Sequence, residues 1–473
     1  MSFTPARRIC AQGDRNFWSS VRYNGNNAWY TNGNTGYFNN NDMYNVLWVL
    51  PVSNCKQSQH KADTTMIELQ DIIDAYFVAR ANKRRTADQT DFELHWEMNC
   101  VRLYRQIAGR CLRPAAYAFV TMNPRPREVF ASDMATRILH HFIDIRLRPL
   151  LERRLSPHTF NNRIGKGQKA CQNAVIADIY EMSEGFTRDD TCIMKLDLKG
   201  CFPNILQDTA YRQLREVIEQ DYHGRDKDEL LYILQVCIYS YPAEHCTRLT
   251  PERWSLIPPE KSLFTKLPGT GAAIGFLIWQ EAVNWYFHDI DEWLSSIEGI
   301  RFERFVDDIY IITNNKAMTL ALIPELRRRL ALLGAQLNER KFYCQHYTKG
   351  LECLGTHIKL GRIYPNRRIV ERGIRKARSF RRASENGIDG VLSSLNSYIG
   401  ICKQVNGYTQ ARRLWDALPS LWRKYLHFDT ERVAIAANAG YTRRERTVQK
   451  YNLVKPKRYG HKRRNSETGG TAA

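Results

Sequence analysis

At 473 residues, 43% of them apolar, the chain is long enough for two or three domains with a sizeable core. Seventy Lys and Arg against 49 Asp and Glu give a net charge of +21, which favours a polyanionic partner, nucleic acid or an anionic membrane surface. No apolar run reaches the ~18 residues of a transmembrane helix, and the opening MSFTPARRICAQGDRN lacks the apolar core of a signal peptide, so an intracellular protein is expected.

Residues 1–60 form an Asn/Gly-rich leader in which NGNNAWYTNGNTGYFNNNDMYN is dominated by turn formers. Residues 61–190 read as largely helical: IELQDIIDAYFVARANKRR and MATRILHHFIDIRLRPLLERRL space apolar residues by three and four, with basic residues opposite. Residues 191–360 mix short β-branched runs (TCIMKLDLKGCF, GIRFERFVDDIYIIT, LECLGTHIKL) with helical stretches (DKDELLYILQVCIYSY, MTLALIPELRRRLALLG), the pattern of an α/β sheet domain. Residues 365–430 return to helix and are strongly basic in NRRIVERGIRKARSFRRA; residues 431–473 form a basic tail whose composition argues for disorder in isolation. Because the basic residues are spread along the chain rather than set on one amphipathic helix, nucleic acid is the better partner reading and no membrane is expected. The 12 cysteines form no Cys-x-x-Cys pair, so they are expected to be free, mostly buried thiols.

Three aspartates stand out. Aspartate is depleted in strands, yet Asp197 sits in the β-like run IMKLD, and Asp307 and Asp308 interrupt FERFVDDIYIIT. In one continuous strand the adjacent pair would face opposite sides, so a tight hairpin between RFERFV and IYIIT is expected, with both acids at the turn. If that hairpin neighbours the Asp197 strand, the carboxylates converge. Like charges that close need divalent cations between them, and two hard cations ~3.5–4 Å apart are a standard device for phosphoryl transfer. The competing reading is an ordinary Asp-containing turn and a surface Asp197.

Here the chain resembles a known family. MKLDLKGCFPNI, followed about a hundred residues later by FVDD, resembles the palm of a reverse transcriptase. NPRPREVFASDMATRILHHFI resembles the family's fingers segment, NNRIGKGQKACQNAV the next, LPGTGAAIGFLIWQ the segment under template and nucleotide, and LGAQLNERKF and LECLGTHI the later palm segments. The resemblance runs from about 64 to 430 and implies an α/β (α+β) right-hand polymerase: fingers over 61–190, palm over 191–360 and a helical, basic thumb over 365–430. It implies an RNA-directed DNA polymerase that uses two Mg2+ ions, dNTPs, a template RNA and its cDNA. Asp197 and Asp307 would bind metal, with Asp308 as partner acid. Arg163 and Lys166 would face the triphosphate. Phe202, five after Asp197, would exclude a ribose 2′-hydroxyl; core packing is its bland alternative. Lys341 would donate a proton to the leaving pyrophosphate, or be a solvated lysine. Arg375, Lys376, Arg381 and Arg382 would grip the duplex backbone. Phe305 stands where tyrosine is usual.

Within the group II intron-like superfamily, AAIGFLIWQ points to one branch. Most reverse transcriptases read Pro-Gln-Gly here; this chain has Ile274 before Gly275, then Gln280, which resembles the enzymes of diversity-generating retroelements. Those enzymes copy a template RNA with errors confined to adenines and pass the cDNA to a variable gene. Trp279 departs from the serine usual in that branch. The resemblance also implies a small basic accessory protein, with oligomeric assembly left open, and a cytoplasmic setting in a bacterial, phage or archaeal host. Asn24, Asn26, Asn27, Asn32, Asn34, Asn39, Asn40, Asn41 and Asn45 all have codons beginning with two adenines, so residues ~14–52 read as translated template repeat; an Asn-rich flexible leader is the alternative. A group II intron maturase, a phage-defence reverse transcriptase and a non-catalytic RNA-binding protein with a degenerate palm are the rival functions.

Overall fold

The computed structural model describes residues 65–81, 86–122, 126–240, 242–405 and 407–443, together with the backbone of three earlier strands. The chain divides into two compact units, Met1–His346 and Tyr347–Ala473.

The first unit opens with an antiparallel sheet of β1 (Asn16–Tyr23), β2 (Asn27–Asn32) and β3 (Phe38–Asp42) inside the Asn-rich segment. Asn24, Asn26, Asn34 and Asn45 lie outside the described residues. Helices α1 (Leu69–Arg80), α2 (Ala87–Leu94) and α3 (Trp96–Ala108) follow. Then come β4 (Ala116–Thr121), β5 (Arg127–Ser132), α4 (Met134–Arg154) and α5 (Gln168–Met182). Helix α4 starts where the Asp133 carboxylate accepts the Thr136 amide at 2.8 Å. It buries Ile138, Leu139, Phe142, Ile143, Leu147, Leu150 and Leu151, a three-and-four spacing that presents one apolar face to the core. Within that stripe Arg146 lies over the Phe142 ring and binds Asp71 at 2.9 Å and Asp226 at 2.6 Å, tying together three parts of the helical layer.

After β6 (Cys192–Asp197) come α6 (Gln207–Asp221), α7 (Lys227–Tyr239), α8 (Pro242–His245), β7 (Cys246–Arg248), α9 (Leu277–Tyr286) and α10 (His288–Ser295). The unit closes with β8 (Ile300–Phe305), β9 (Asp308–Thr313), α11 (Lys316–Ala321), α12 (Ile323–Leu332) and β10 (Tyr343–His346). The run read as one helix over MTLALIPELRRRLALLG is thus two, with Pro324 at the start of the second, where a missing amide hydrogen costs nothing.

The central sheet has the order β10-β6-β9-β8, with every neighbouring pair antiparallel. Met194 pairs with Ile311 and Leu196 with Ile309, so these side chains share one face, and that face joins the main apolar core. The alternate positions put Lys195 opposite Tyr310 and Asp197 opposite Asp308 on the other face. A second sheet, β5-β4-β7, is joined to the segment before α9: the Phe130 amide donates to the Ile274 carbonyl at 2.8 Å. Gly275 follows at φ 112°, and a Cβ there would lie 2.3 Å from the Phe130 carbonyl oxygen. Only glycine permits both the backbone angle and the approach.

In the second unit, β11 (Leu351–Cys353), β12 (Thr356–Lys359) and β13 (Arg362–Pro365) form an antiparallel meander. Helices α13 (Arg367–Ser379), α14 (Ile388–Gln404) and α15 (Tyr408–Asp416) and the hairpin β14 (Leu426–Asp429)–β15 (Ala434–Ala437) complete it. Its separate core includes Val370, Ala377, Leu395, Ile399, Leu414 and Trp422. Helix α13 buries only Val370, Gly373 and Ala377, which leaves Arg375 and Lys376 exposed. Residues 444–473, most of the basic tail, lie outside the described residues.

Candidate active site

Strand β6 ends at Asp197, whose ladder partner is Asp308, the first residue of β9. Asp308 also pairs with Phe305 at the end of β8, so Val306 and Asp307 alone make the turn. The Leu198 amide donates to the Asp307 carbonyl at 3.0 Å, fixing the turn against the end of β6. All three aspartates therefore stand at the same end of the central strands β6 and β9, as the hairpin reading expects. Val306 takes φ 57°, an unfavourable left-handed conformation for a β-branched residue.

Asp197 is 6% exposed. Its carboxylate accepts from Asn338 Nδ2 at 2.8 Å and from Lys341 Nζ at 2.5 Å, and its carbonyl accepts the Asn338 amide at 2.8 Å. The 338–341 turn is thereby hooked onto the strand end. On the same face Lys195 Nζ lies 3.4 Å from Asp308 Oδ1. Burial, then the charges of Asp308 and Asp197, push the Asp307 carboxyl up to about 6, although Lys341 opposes them. Burial also raises Asp308, with Lys195 the largest opposing influence.

Clustered carboxylates of this kind, one buried and two half-buried, are oxygen donors suited to a hard divalent cation, and the repulsion between them is what such a cation relieves. Asp197, Asp307 and Asp308 are the residues able to hold it. Among the described residues no three His, Cys, Asp or Glu side chains close around a single point; Lys341 and Lys195 engage the Asp197 and Asp308 carboxylates instead.

The remaining predicted residues fall in three places. Phe202 is half-buried against the core, and its carbonyl accepts the Ala272 amide at 2.8 Å, while the Gly271 amide donates to Ile205 at 2.7 Å. These bonds set Phe202 beside the segment that carries Ile274 and Gly275. Ile274 is half-buried, Gly275 exposed, and Gln280 half-buried on α9; Trp279 is buried in the core. Arg163 is committed to its own loop: Nε binds Glu152 at 2.8 Å, and the guanidinium also donates to the Ser156 and Thr159 carbonyls at 2.6 and 3.0 Å. Lys166 donates to the Pro157 carbonyl at 2.6 Å and lies over the Phe160 ring. Burial, then the neighbouring Arg163 charge, lower its pKa. Arg375, Lys376, Arg381 and Arg382 are exposed in the second unit, at and just beyond the end of α13. Lys195, Asn338 and Arg304, whose guanidinium donates to the Val306 carbonyl at 3.2 Å, were not singled out in the sequence. Lys195 was within reach, because a residue two before Asp197 shares its strand face.

Residues 125–358 match the family model for reverse transcriptase (RNA-dependent DNA polymerase). The chain carries a reverse transcriptase domain. The matched family is one of RNA-dependent DNA polymerases. The matched segment contains Asp197 and the Asp307–Asp308 turn. Similar solved structures include the apo telomerase of Candida tropicalis truncated from its C-terminal domain, at 14% identity and a TM-score of 0.38, over 53% of this chain and 55% of that one. The untruncated apo telomerase of Candida tropicalis is 11% identical at a TM-score of 0.41 over 75% of each chain. The Candida albicans telomerase in complex with a TWJ fragment of telomeric RNA is 12% identical at 0.38, over 74% of this chain and 71% of that one. The chain thus spans about half the length of the first of these structures. No curated protein matches it.

Asp307→Asn removes a charge that burial and two like neighbours disfavour. Its carboxyl titrates at about 6, above the ordinary 3.8, so the ionised form opposes folding at pH 7 in the absence of a cation; that opposition is full above 6, shrinks as the pH falls from 6 toward 3.8, and is gone below 3.8. The variant is expected to lose extension of a DNA primer on an RNA template, to bind RNA as the wild type does, and to melt no lower than the wild type in metal-free buffer at pH 7. Substantial residual synthesis would remove Asp307 from the reaction.

Proposed function

We propose that the protein is an RNA-directed DNA polymerase of a diversity-generating retroelement, which copies a template-repeat RNA into adenine-mutagenised cDNA for a variable gene. The convergence of Asp197, Asp307 and Asp308 within a reverse transcriptase domain carries the polymerase reading. In this reading the fingers, palm and thumb fall at 61–190, 191–360 and 365–430.

The three carboxylates would hold two Mg2+ ions, which when bound lower the barrier for the primer 3′-hydroxyl and steady the leaving group. The 3′-hydroxyl gives up its proton to solvent as its oxygen bonds to the α-phosphorus of the dNTP, and the bond from that phosphorus to the α–β bridging oxygen breaks to release pyrophosphate. Lys341, whose Nζ is held at Asp197 Oδ1, would give a proton to that departing group. Phe202, fixed by its carbonyl beside the 271–276 segment, would present its ring to the sugar and exclude a 2′-hydroxyl. Lys166 is half-exposed on the 156–167 loop and suits the triphosphate; Arg163 would act by shaping that loop. The exposed cations after Arg375 supply a sequence-independent, salt-sensitive grip on the duplex. A small basic accessory protein and a cytoplasmic setting belong to the same proposal.

Ile274 supports the mutagenic reading. Its carbonyl is fixed by the Phe130 amide and Gly275 is locked against Phe130, so the Ile274 side chain is held in a defined place. An apolar group at a nucleotide pocket discriminates by only ~1–3 kcal/mol, less than a site built to hydrogen-bond its substrate. Two outcomes follow. Phe202→Ala is expected to admit ribonucleotides, read as a falling ratio of deoxy- to ribonucleotide incorporation; an unchanged ratio places the gate elsewhere. In sequenced cDNA made with the accessory protein present, wild-type errors are expected to concentrate opposite template adenine and to decrease in Ile274→Gln. Uniformly low error opposite all four bases would reject the retroelement assignment and leave a maturase-like or defence enzyme.

A further inference from the structure

Beneath the carboxylate turn lies a charge that the reaction does not use directly. Arg304 on β8 and Asp291 on α10 are both 0% exposed. Arg304 Nε donates to Asp291 Oδ1 at 2.7 Å and NH2 to Oδ2 at 2.5 Å. The Thr159 hydroxyl donates to the same Oδ2 at 2.7 Å. NH2 also reaches the Asn284 carbonyl of α9 at 3.0 Å, and NH1 the Val306 carbonyl at 3.2 Å. The main chain joins in: the Arg304 amide donates to His158 at 2.8 Å, and its carbonyl accepts from Phe160 at 3.0 Å. One guanidinium thus joins the turn bearing Asp307, the loop bearing Arg163 and Lys166, the helix that follows Ile274 and Gly275, and α10.

Stability alone does not call for this arrangement. A buried ion pair is commonly no more stable than a well-packed apolar pair of similar volume. An apolar pair, however, has no donor for the Val306 carbonyl, and Val306 occupies a conformation that its β-branched side chain disfavours. A strained turn persists only where its surroundings over-determine it. We infer that Arg304 is a positioning residue for polymerisation: through the Val306 carbonyl it holds the turn that sets Asp307 and Asp308 against Asp197. Through Asn284 and Thr159 it ties that turn to the segments proposed to contact the nucleotide. This inference rests on the polymerase reading.

The test uses the full-length chain, an RNA template with an annealed DNA primer, and dNTPs with Mg2+. Two variants are compared with wild type: Arg304→Lys, which keeps a cation beside Asp291 but loses the fork, and Arg304→Met combined with Asp291→Leu, which removes both charges. The double variant is expected to melt near wild type and to bind the primed RNA with unchanged affinity. Its kcat is expected to fall by about tenfold or more, with KM for dNTP changed far less, because the loss lies in transition-state geometry. Arg304→Lys should fall between the two. A folded double variant with wild-type kcat overturns the inference. So does failure of both variants to fold, which would make the pair a core support only. If the wild type itself extends no primer, the polymerase reading fails first, and that is seen before any variant is compared.

Discussion

The geometry of the candidate site depends on a buried guanidinium. Removing Arg304 and Asp291 from water costs several kcal/mol for each ion, and the cost is offset by an acceptor at each of the three guanidinium nitrogens. Beside the nearby Val306 carbonyl, the partners come from other parts of the chain: Thr159, Asn284 and Asp291. Arg304 pairs across the sheet with Ile309, so it lies on the core face, while Asp197 and Asp308 point to the other face. The sheet is therefore braced from behind where its front carries repelling charges. On the proposed reading, that division lets the front remain electrostatically strained and ready for cations.

The front face is an unfinished charge balance. Asp307 is raised toward neutrality by burial and by its two neighbours, whereas Asp197 and Asp308 each have a lysine, Lys341 and Lys195. Lys341 is 53% exposed and Lys195 14%, so the first can swing into solvent more readily than the second. Lys341 thus suits a role as a mobile proton donor, and Lys195 that of a fixed counter-charge to Asp308.

The carboxylates were legible in the sequence because they break a local rule. Aspartate inside an apolar, β-branched run is expensive unless it sits at a turn or beside positive charge. That conflict points to the hairpin; that the Asp197 strand lies beside it is visible only in the sheet pairing. Other features came from patterns short enough to read, such as the basic outer side of α13. What was not legible is non-local. Nothing in FERF shows that Arg304 meets Asp291 and Thr159, the latter 145 positions earlier. Nor does NNRIGKG show that Arg163 turns back onto the carbonyls of its own loop. The break between α11 and α12 was visible in Pro324 but was masked by continuous apolar spacing on both sides.

The central claim is that three aspartates at the ends of two central strands run RNA-templated DNA synthesis. Its most direct measurement is primer extension by the full chain on an RNA of known sequence, with the product sequenced. The account predicts DNA complementary to the RNA, dependent on dNTPs and on added Mg2+ and abolished by chelation. Tight RNA binding with no templated DNA under any divalent cation would contradict it and leave a basic RNA-binding protein built on a polymerase fold.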